Sequence, residues 1–110
     1  MKTKSLGFIG GGRITRIFLQ AFVNKKAIFD SISVFDTNQE VLDALKQKFP
    51  FIQAAKSAEE CAQKDIVFLA LHPNVVLNVL QQIKDIVNEQ TILISLSPKI
   101  TISKIAEIIN

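Results

Sequence analysis

Residues 5–15 read SLGFIGGGRIT, and this stretch decides the fold. Its first part, 5–10, is apolar like a buried strand, and the glycines at 10–12 end it. From Arg13 to Asn24 the apolar residues recur at helical spacing, at Ile14, Ile17, Phe18, Ala21 and Phe22. A strand, a glycine turn and a helix in this order predict the opening unit of a parallel α/β sheet.

The rest of the chain repeats this alternation. Further strands are predicted at 31–36, 51–54, 66–71 and 91–95, and further helices after Asn38, at 57–63, after Pro73 and at 101–109. The run 66–71 (IVFLAL) is apolar throughout, as in strands that are covered on both faces. The pattern predicts an α/β fold, a Rossmann-type doubly wound parallel sheet with helices on both faces. With no internal linker or repeat, residues 1–110 are expected to form one dinucleotide-binding (Rossmann-like) domain.

Composition excludes several classes of function. The net charge is +3, and the basic residues are scattered, which argues against a nucleic-acid surface. The longest apolar runs fall short of the roughly 18 residues of a membrane span, and the N-terminus lacks a signal-peptide core. One cysteine and one histidine support neither a metal site nor a catalytic triad. We therefore expect a cytoplasmic protein with no metal, no nucleic-acid partner and no membrane association.

The glycine turn carries the chemistry. The unpaired amides and the dipole of a helix N-terminus favour an anion such as a pyrophosphate. Gly10 permits the tight turn, and Gly12 lets the backbone approach the phosphates, with Gly11, Arg13 and Ile14 completing the candidate site. The third position of the fingerprint is Thr15, which we expect either to push helix and strand apart or to place a hydroxyl near the phosphates.

An acidic residue follows the second predicted strand. Asp36 lies 24 residues beyond Gly12, close to the spacing of an acid that binds ribose hydroxyls, and Thr37 is beside it. The turn and the acid together predict binding of a nicotinamide dinucleotide, NADP or NAD. The alternative is that the glycines only form a tight turn and that Asp36 only caps a strand.

Three segments, GFIGGGRI, IVFLALHP and ILISLSPKITI, resemble the N-terminal domain of pyrroline-5-carboxylate reductases. That family shows GFIGxGNM, then a strand ending Ala-Val-Lys-Pro, then Ile-Ser-x-Ala-Ala-Gly-Ile-Thr. The resemblance implies hydride transfer from a nicotinamide cofactor, usually NADP, to a cyclic imine in proline biosynthesis. It also implies a homo-oligomer, because the family dimerises through a helical C-terminal domain. Nothing in this sequence corresponds to that domain, so we expect a divergent or truncated member.

The departures from the family define further candidates. His72 replaces the Lys of Lys-Pro and would donate to the cofactor's ribose or amide, or would be only a polar residue at a strand end. Leu71 and Pro73 would shape the cofactor groove through their backbone. Ser97, in Ser97-Pro98-Lys99 in place of Ala-Ala-Gly, would contact the carboxamide or a substrate carboxylate, or lie in a solvated loop. Arg13 would bind a phosphate or stay exposed, and no catalytic residue is assigned.

Two further expectations concern function. Relatives often have Asn-Arg-Thr after the second strand, where this chain has Asp36-Thr37-Asn38, and a carboxylate repels a 2′-phosphate. The sequence therefore favours NAD, unless Arg13 offsets the repulsion. The alternative to an enzyme is a non-catalytic dinucleotide-binding or sensing module, and we expect the isolated chain to bind cofactor without turnover.

Overall fold

A computed structural model describes residues 3–96 and 102–109, and for 102–104 and 109 it describes the backbone alone. The strands are β1 (Ser5–Ile9), β2 (Ser31–Phe35), β3 (Gln53–Ala54), β4 (Ile66–Leu69) and β5 (Ile92–Ser95). The helices are α1 (Arg13–Lys25), α2 (Gln39–Lys48), α3 (Ala58–Ala62), α4 (Pro73–Ile83) and α5 (Ile102–Ile109).

The strands form one parallel sheet in the order β3-β2-β1-β4-β5. The order reverses direction at β1, which pairs with β2 on one side and β4 on the other. A crevice opens at such a switch point, at the carboxyl ends of the strands. The doubly wound sheet predicted from the sequence is therefore confirmed, and its geometry places a ligand site above β1.

The helices cover both faces of the sheet. On the first face, Leu19 of α1 and Leu42 and Leu45 of α2 pack with Phe8 of β1. On the second face, α3 and α4 pack their buried residues against Ile9, and α5 adds the half-buried Ile105 and Ile108. Successive strand residues point to opposite faces, so Phe8 and Ile9 supply one core each.

Phenylalanines fill the first core. Phe8 stacks on Phe68 with ring centroids 4.5 Å apart, and Phe18 and Phe22 of α1 tilt against Phe8. This arrangement confirms that the aromatic residues serve packing between layers. Phe51 is the exception, since it is half exposed.

Some predicted boundaries shift. The third strand shrinks from 51–54 to two residues because Ile52 donates its N–H back to the Phe49 carbonyl in a turn. β4 ends at Leu69, and Ala70 makes one further ladder bond, from its N–H to the Ile9 carbonyl, before the chain turns. Proline begins α4 as expected, because its missing N–H is not needed in a first helical turn.

Candidate functional site

The turn after β1 is tight because of Gly10. This residue has φ +111°, and a Cβ there would lie 2.2 Å from the Ala70 carbonyl oxygen. Its N–H donates to the Phe35 carbonyl at 2.7 Å, which ties the turn to the end of β2. Only glycine combines this φ with so close a backbone neighbour.

Gly11 links the turn to the acid at the end of β2. Its N–H donates to Asp36 Oδ2 at 2.8 Å. A Cβ on Gly11 would lie 3.0 Å from Leu45 and 3.1 Å from Val41, so α2 packs closely over it. Gly11 therefore supports the site from behind the turn.

Gly12 differs from the other two glycines because a Cβ built on it meets no atom within 4 Å. It is the N-cap of α1 and forms no side-chain cap, and the first turn carries no acidic residue. The first amides of α1 have no carbonyl one turn earlier to accept from them. Together these features make an exposed donor surface with open space before it.

Thr15 corrects one expectation. Its side chain is fully buried, and its hydroxyl donates to the Gly10 carbonyl at 2.5 Å. The hydroxyl is thus bonded to the turn's own backbone, and the prediction that it would stand near the phosphates is wrong. The β-branched residue replaces the usual glycine by bracing the turn.

Asp36 is held in place by two backbone donors. Gly11 N–H donates to Oδ2 and Asn38 N–H donates to Oδ1, each at 2.8 Å. A carboxylate has about four lone-pair positions, so two remain for hydroxyl donors. The half-buried side chain is therefore an oriented acceptor pair beside the turn.

A cleft of about 560 Å³ lies at this edge of the sheet. It brings together six of the predicted site residues: Gly10, Gly12, Asp36, Thr37, Leu71 and His72. Gly11, Arg13, Ile14 and Pro73 do not line it, although Arg13, Ile14 and Pro73 belong to the first turns of α1 and α4. Ser97 lies outside the described residues, so the structure leaves its prediction where the sequence put it.

His72 is the N-cap residue of α4 and is exposed, and its side chain makes no cap hydrogen bond. It lines the cleft without a carboxylate or metal ligand beside it, since the described residues contain no group of three potential metal ligands. Arg13 is also exposed, at the start of α1. Neither residue is positioned by another side chain.

The cleft has a second wall that the sequence analysis did not identify. From α3 and the residue pair before it come Lys56, Ser57, Ala58 and Glu59, and from α4 come Val75, Asn78, Val79 and Gln82. A capping box places the first group, because Ser57 Oγ accepts the Glu60 N–H and the Glu60 carboxylate accepts the Lys56 N–H. The S-x-x-E pattern at 57–60 was the signal that could have placed these residues beside the cleft.

Cys61 takes no part in this chemistry. Burial raises the pKa of its thiol to about 12, and the nearby Glu60 carboxylate adds to the shift. The thiol lies 3.6 Å from the Phe8 carbonyl in the second core. It therefore stays protonated at neutral pH, as the packing role predicted from the sequence requires.

Comparisons with known proteins agree with this geometry. The family model described as NADP oxidoreductase, coenzyme F420-dependent, matches residues 5–99. Pyrroline-5-carboxylate reductase from Escherichia coli K12 is 30% identical over 105 residues, which are 94% of this chain and 39% of that protein. The chain thus spans about two fifths of the length of this curated relative.

Solved structures show the same similarity. A pyrroline-5-carboxylate reductase from Coxiella burnetii superposes with a TM-score of 0.89 at 27% identity, over 99% of this chain and 41% of that one. A Plasmodium falciparum pyrroline carboxylate reductase, solved with NADP bound, gives a TM-score of 0.80 at 24% identity, over 100% of this chain and 39% of that one. The second match shows the fold alone.

The family model covers most of the chain, which therefore belongs to the NADP oxidoreductase, coenzyme F420-dependent, family. The resemblance to the N-terminal domain of pyrroline-5-carboxylate reductases is confirmed. The chain is an NAD(P)-binding oxidoreductase domain related to those enzymes. Across residues 3–96 and 102–109, no helix has both the length and the hydropathy needed to cross a bilayer.

Proposed function

We propose that this family member, residues 1–110, is a dinucleotide-binding domain that holds the pyrophosphate of a nicotinamide cofactor at Gly12. The observation that carries the proposal is the open space at this residue, where a Cβ would touch nothing. A glycine that packing does not require, at the N-terminus of a helix, fits a close approach of phosphate to backbone. Gly10 and Gly11 shape this cradle, and the amides of Arg13 and Ile14 extend it.

The positive end of α1 supplies the electrostatic attraction. Its first turn carries no acidic residue and begins with Arg13. The helix dipole and the unpaired amides favour an anion there by about 0.3–1 kcal/mol at an exposed site. A guanidinium at the same end adds a charge that pairs with phosphate.

We propose that Asp36 accepts hydrogen bonds from the hydroxyls of the adenosine ribose, and that the domain prefers NAD to NADP. Two backbone N–H groups fix the carboxylate, so it cannot turn away from a 2′-phosphate without losing both bonds. The neighbouring residues do not supply a replacement partner, because Thr37 is uncharged and the Asn38 side chain accepts the Glu40 N–H at the start of α2. Lys56 also lines the cleft and is the basic residue whose effect the experiment must separate.

The nicotinamide end is proposed to lie beyond β4. Leu71 and His72 line the cleft there, Pro73 begins α4, and Ser97 follows β5 in the sequence. The bound cofactor would supply a hydride, and the relatives' printed names support a cyclic imine of the pyrroline-5-carboxylate type, within proline biosynthesis, as its acceptor. The residues of this chain would orient the cofactor and shield one side of it.

Calorimetric titration with NADH tests the binding site. Gly12→Val should abolish binding while leaving the circular dichroism unchanged, because its side chain would fill the space before the α1 amides. Ile17→Val, an exposed change one turn further along α1, is the matched control and should bind as the unaltered chain does. Equal affinity of Gly12→Val and the control would exclude this pyrophosphate site.

Parallel titrations with NADPH test the preference. We expect tighter binding of NADH, and we expect Asp36→Asn to narrow the difference while Lys56→Gln widens it. Tighter binding of NADPH by the unaltered chain would overturn the assignment. Adding pyrroline-5-carboxylate and following cofactor absorbance then separates two functions: oxidation that disappears in Gly12→Val supports a reductase, and binding without oxidation supports a binding module.

A further inference from the structure

The cleft continues past the proposed ribose position, along α4. Val75, Asn78, Val79 and Gln82 all line it. Their spacing of three, four and seven residues places them on one face of the helix, over about 10 Å of its length. The cleft therefore has a wall on which apolar and amide side chains alternate.

The proposed function determines what part of the cofactor meets this wall, and the inference rests on it. The pyrophosphate at Gly12 and the ribose at Asp36 occupy one end of the cleft. The adenine is attached to that ribose on the side away from its 5′-phosphate. The base must therefore extend into the remaining space, between the start of α3 and the exposed face of α4.

The chemistry of the wall matches adenine. The side chains of Val75 and Val79 offer apolar surface to a flat ring, and Ala58 lies on the α3 side of the same cleft. An Asn or Gln amide has one acceptor and two donors, and adenine carries an amino donor beside ring-nitrogen acceptors. One amide can thus make two hydrogen bonds with one edge of the base.

Both amides are free to do this. Asn78 and Gln82 are exposed, and within the described part of the chain neither side chain makes a hydrogen bond. Elsewhere in the chain, side-chain amides are engaged, as Gln20 is with Asn24 and Gln39 is with Asp43. Binding a base would therefore break no existing contact.

We propose that Asn78 and Gln82 form a base-recognition site that binds the amino edge of the cofactor's adenine. The site determines affinity for the dinucleotide and lies apart from the glycine turn. It gives the domain a preference for adenine over bases whose amino edge is blocked. Removing either amide is expected to weaken binding about three- to tenfold, the effect of one or two lost hydrogen bonds in partly solvated surroundings.

The test uses neighbouring residues of the same type as controls. Gln82→Leu and Asn78→Leu remove the proposed contacts, whereas Gln81→Leu and Asn74→Leu make the same changes at exposed positions of α4 outside the cleft. Each variant is titrated with the reduced cofactor that the unaltered chain binds more tightly. Each is also titrated with the analogue of that cofactor in which an etheno bridge blocks N1 and the amino group of adenine.

We expect the two cleft variants alone to lose affinity for the normal cofactor, and the unaltered chain to bind the etheno analogue correspondingly less well. The double variant Asn78→Leu/Gln82→Leu should no longer discriminate between the two cofactors. If the cleft variants bind like their controls while Gly12→Val still abolishes binding, the base site is refuted and the proposed function stands. If the unaltered chain binds neither cofactor, both are refuted.

Discussion

Alanine at Gly10 and alanine at Gly12 should have opposite effects, although the two residues are two positions apart in one turn. At Gly10 the backbone has φ +111°, where an L residue is strained by about 1–2 kcal/mol. The new Cβ would also lie 2.2 Å from the Ala70 carbonyl oxygen, which is backbone and cannot rotate away. Forcing extra volume into a packed site costs about 1–3 kcal/mol.

The sum is a loss of about 2–5 kcal/mol in the free energy of unfolding for Gly10→Ala. Each kcal/mol moves the melting temperature of a domain near this size by about 4–8 °C. The Gly10→Ala chain should therefore melt at least about 10 °C lower than the unaltered chain. At Gly12 a Cβ meets no atom within 4 Å, so Gly12→Ala should change the melting temperature by no more than about 4 °C.

Thermal unfolding followed by circular dichroism measures both variants, and cofactor titration completes the comparison. Gly12→Ala should fold normally and bind the cofactor more weakly, because its methyl group occupies the space before the α1 amides. A Gly10→Ala chain that melts within a few degrees of the unaltered one would refute the reasoning. So would a Gly12→Ala chain that is as unstable as Gly10→Ala.

Three further predictions concern stability. Thr15→Val should lower the free energy of unfolding by about 1–3 kcal/mol in urea titrations, because it leaves the buried Gly10 carbonyl without its donor, and Thr15→Ser should restore much of the loss; equal stability of all three chains would contradict the bracing role. Gly7→Ala should destabilise by about 1–3 kcal/mol in the same assay, because a Cβ there would lie 2.3 Å from the Cys61 carbonyl oxygen, and an unchanged denaturation midpoint would exclude this contact. Because the folded pKa of Cys61, about 12, lies above the model value of 9.0, its contribution to stability is complete below pH 9 and is lost as the pH rises towards 12. Relative to Cys61→Ala, the unaltered chain should lose up to about 1.4 kcal/mol per pH unit across that window, and parallel pH profiles would contradict this.

Most of the fold could be predicted because its signals are local. The apolar run of β4 and the amphipathic spacing of α1 and α4 identified elements of the correct type and order. Boundaries were less certain where single hydrogen bonds decide them, as at β3, where a turn at Ile52 consumes half of the predicted strand. The long helices and buried strands, by contrast, repeat their pattern over several residues.

About half of the candidate site could be found in the same way. The glycine turn and Asp36 are separated by a spacing that the strand–helix–strand unit imposes, and the structure brings them within one hydrogen bond of each other. The wall formed by α3 and α4 carries no motif. Asn78 and Gln82 look like ordinary exposed residues of a helix until the cleft beside them is seen.

The sequence by itself determined the order of strands and helices, the anion-binding turn and the acid beside β2, because each depends on residues close together or on a fixed repeat. Only the tertiary structure decided that Gly7 must be glycine, since the atom that excludes a side chain belongs to Cys61, 54 residues away. It also decided that the Thr15 hydroxyl braces the Gly10 carbonyl and that α4 forms the far wall of the cleft. These features depend on which surfaces meet when helices pack on the sheet, and that packing is fixed by the volumes of both cores together.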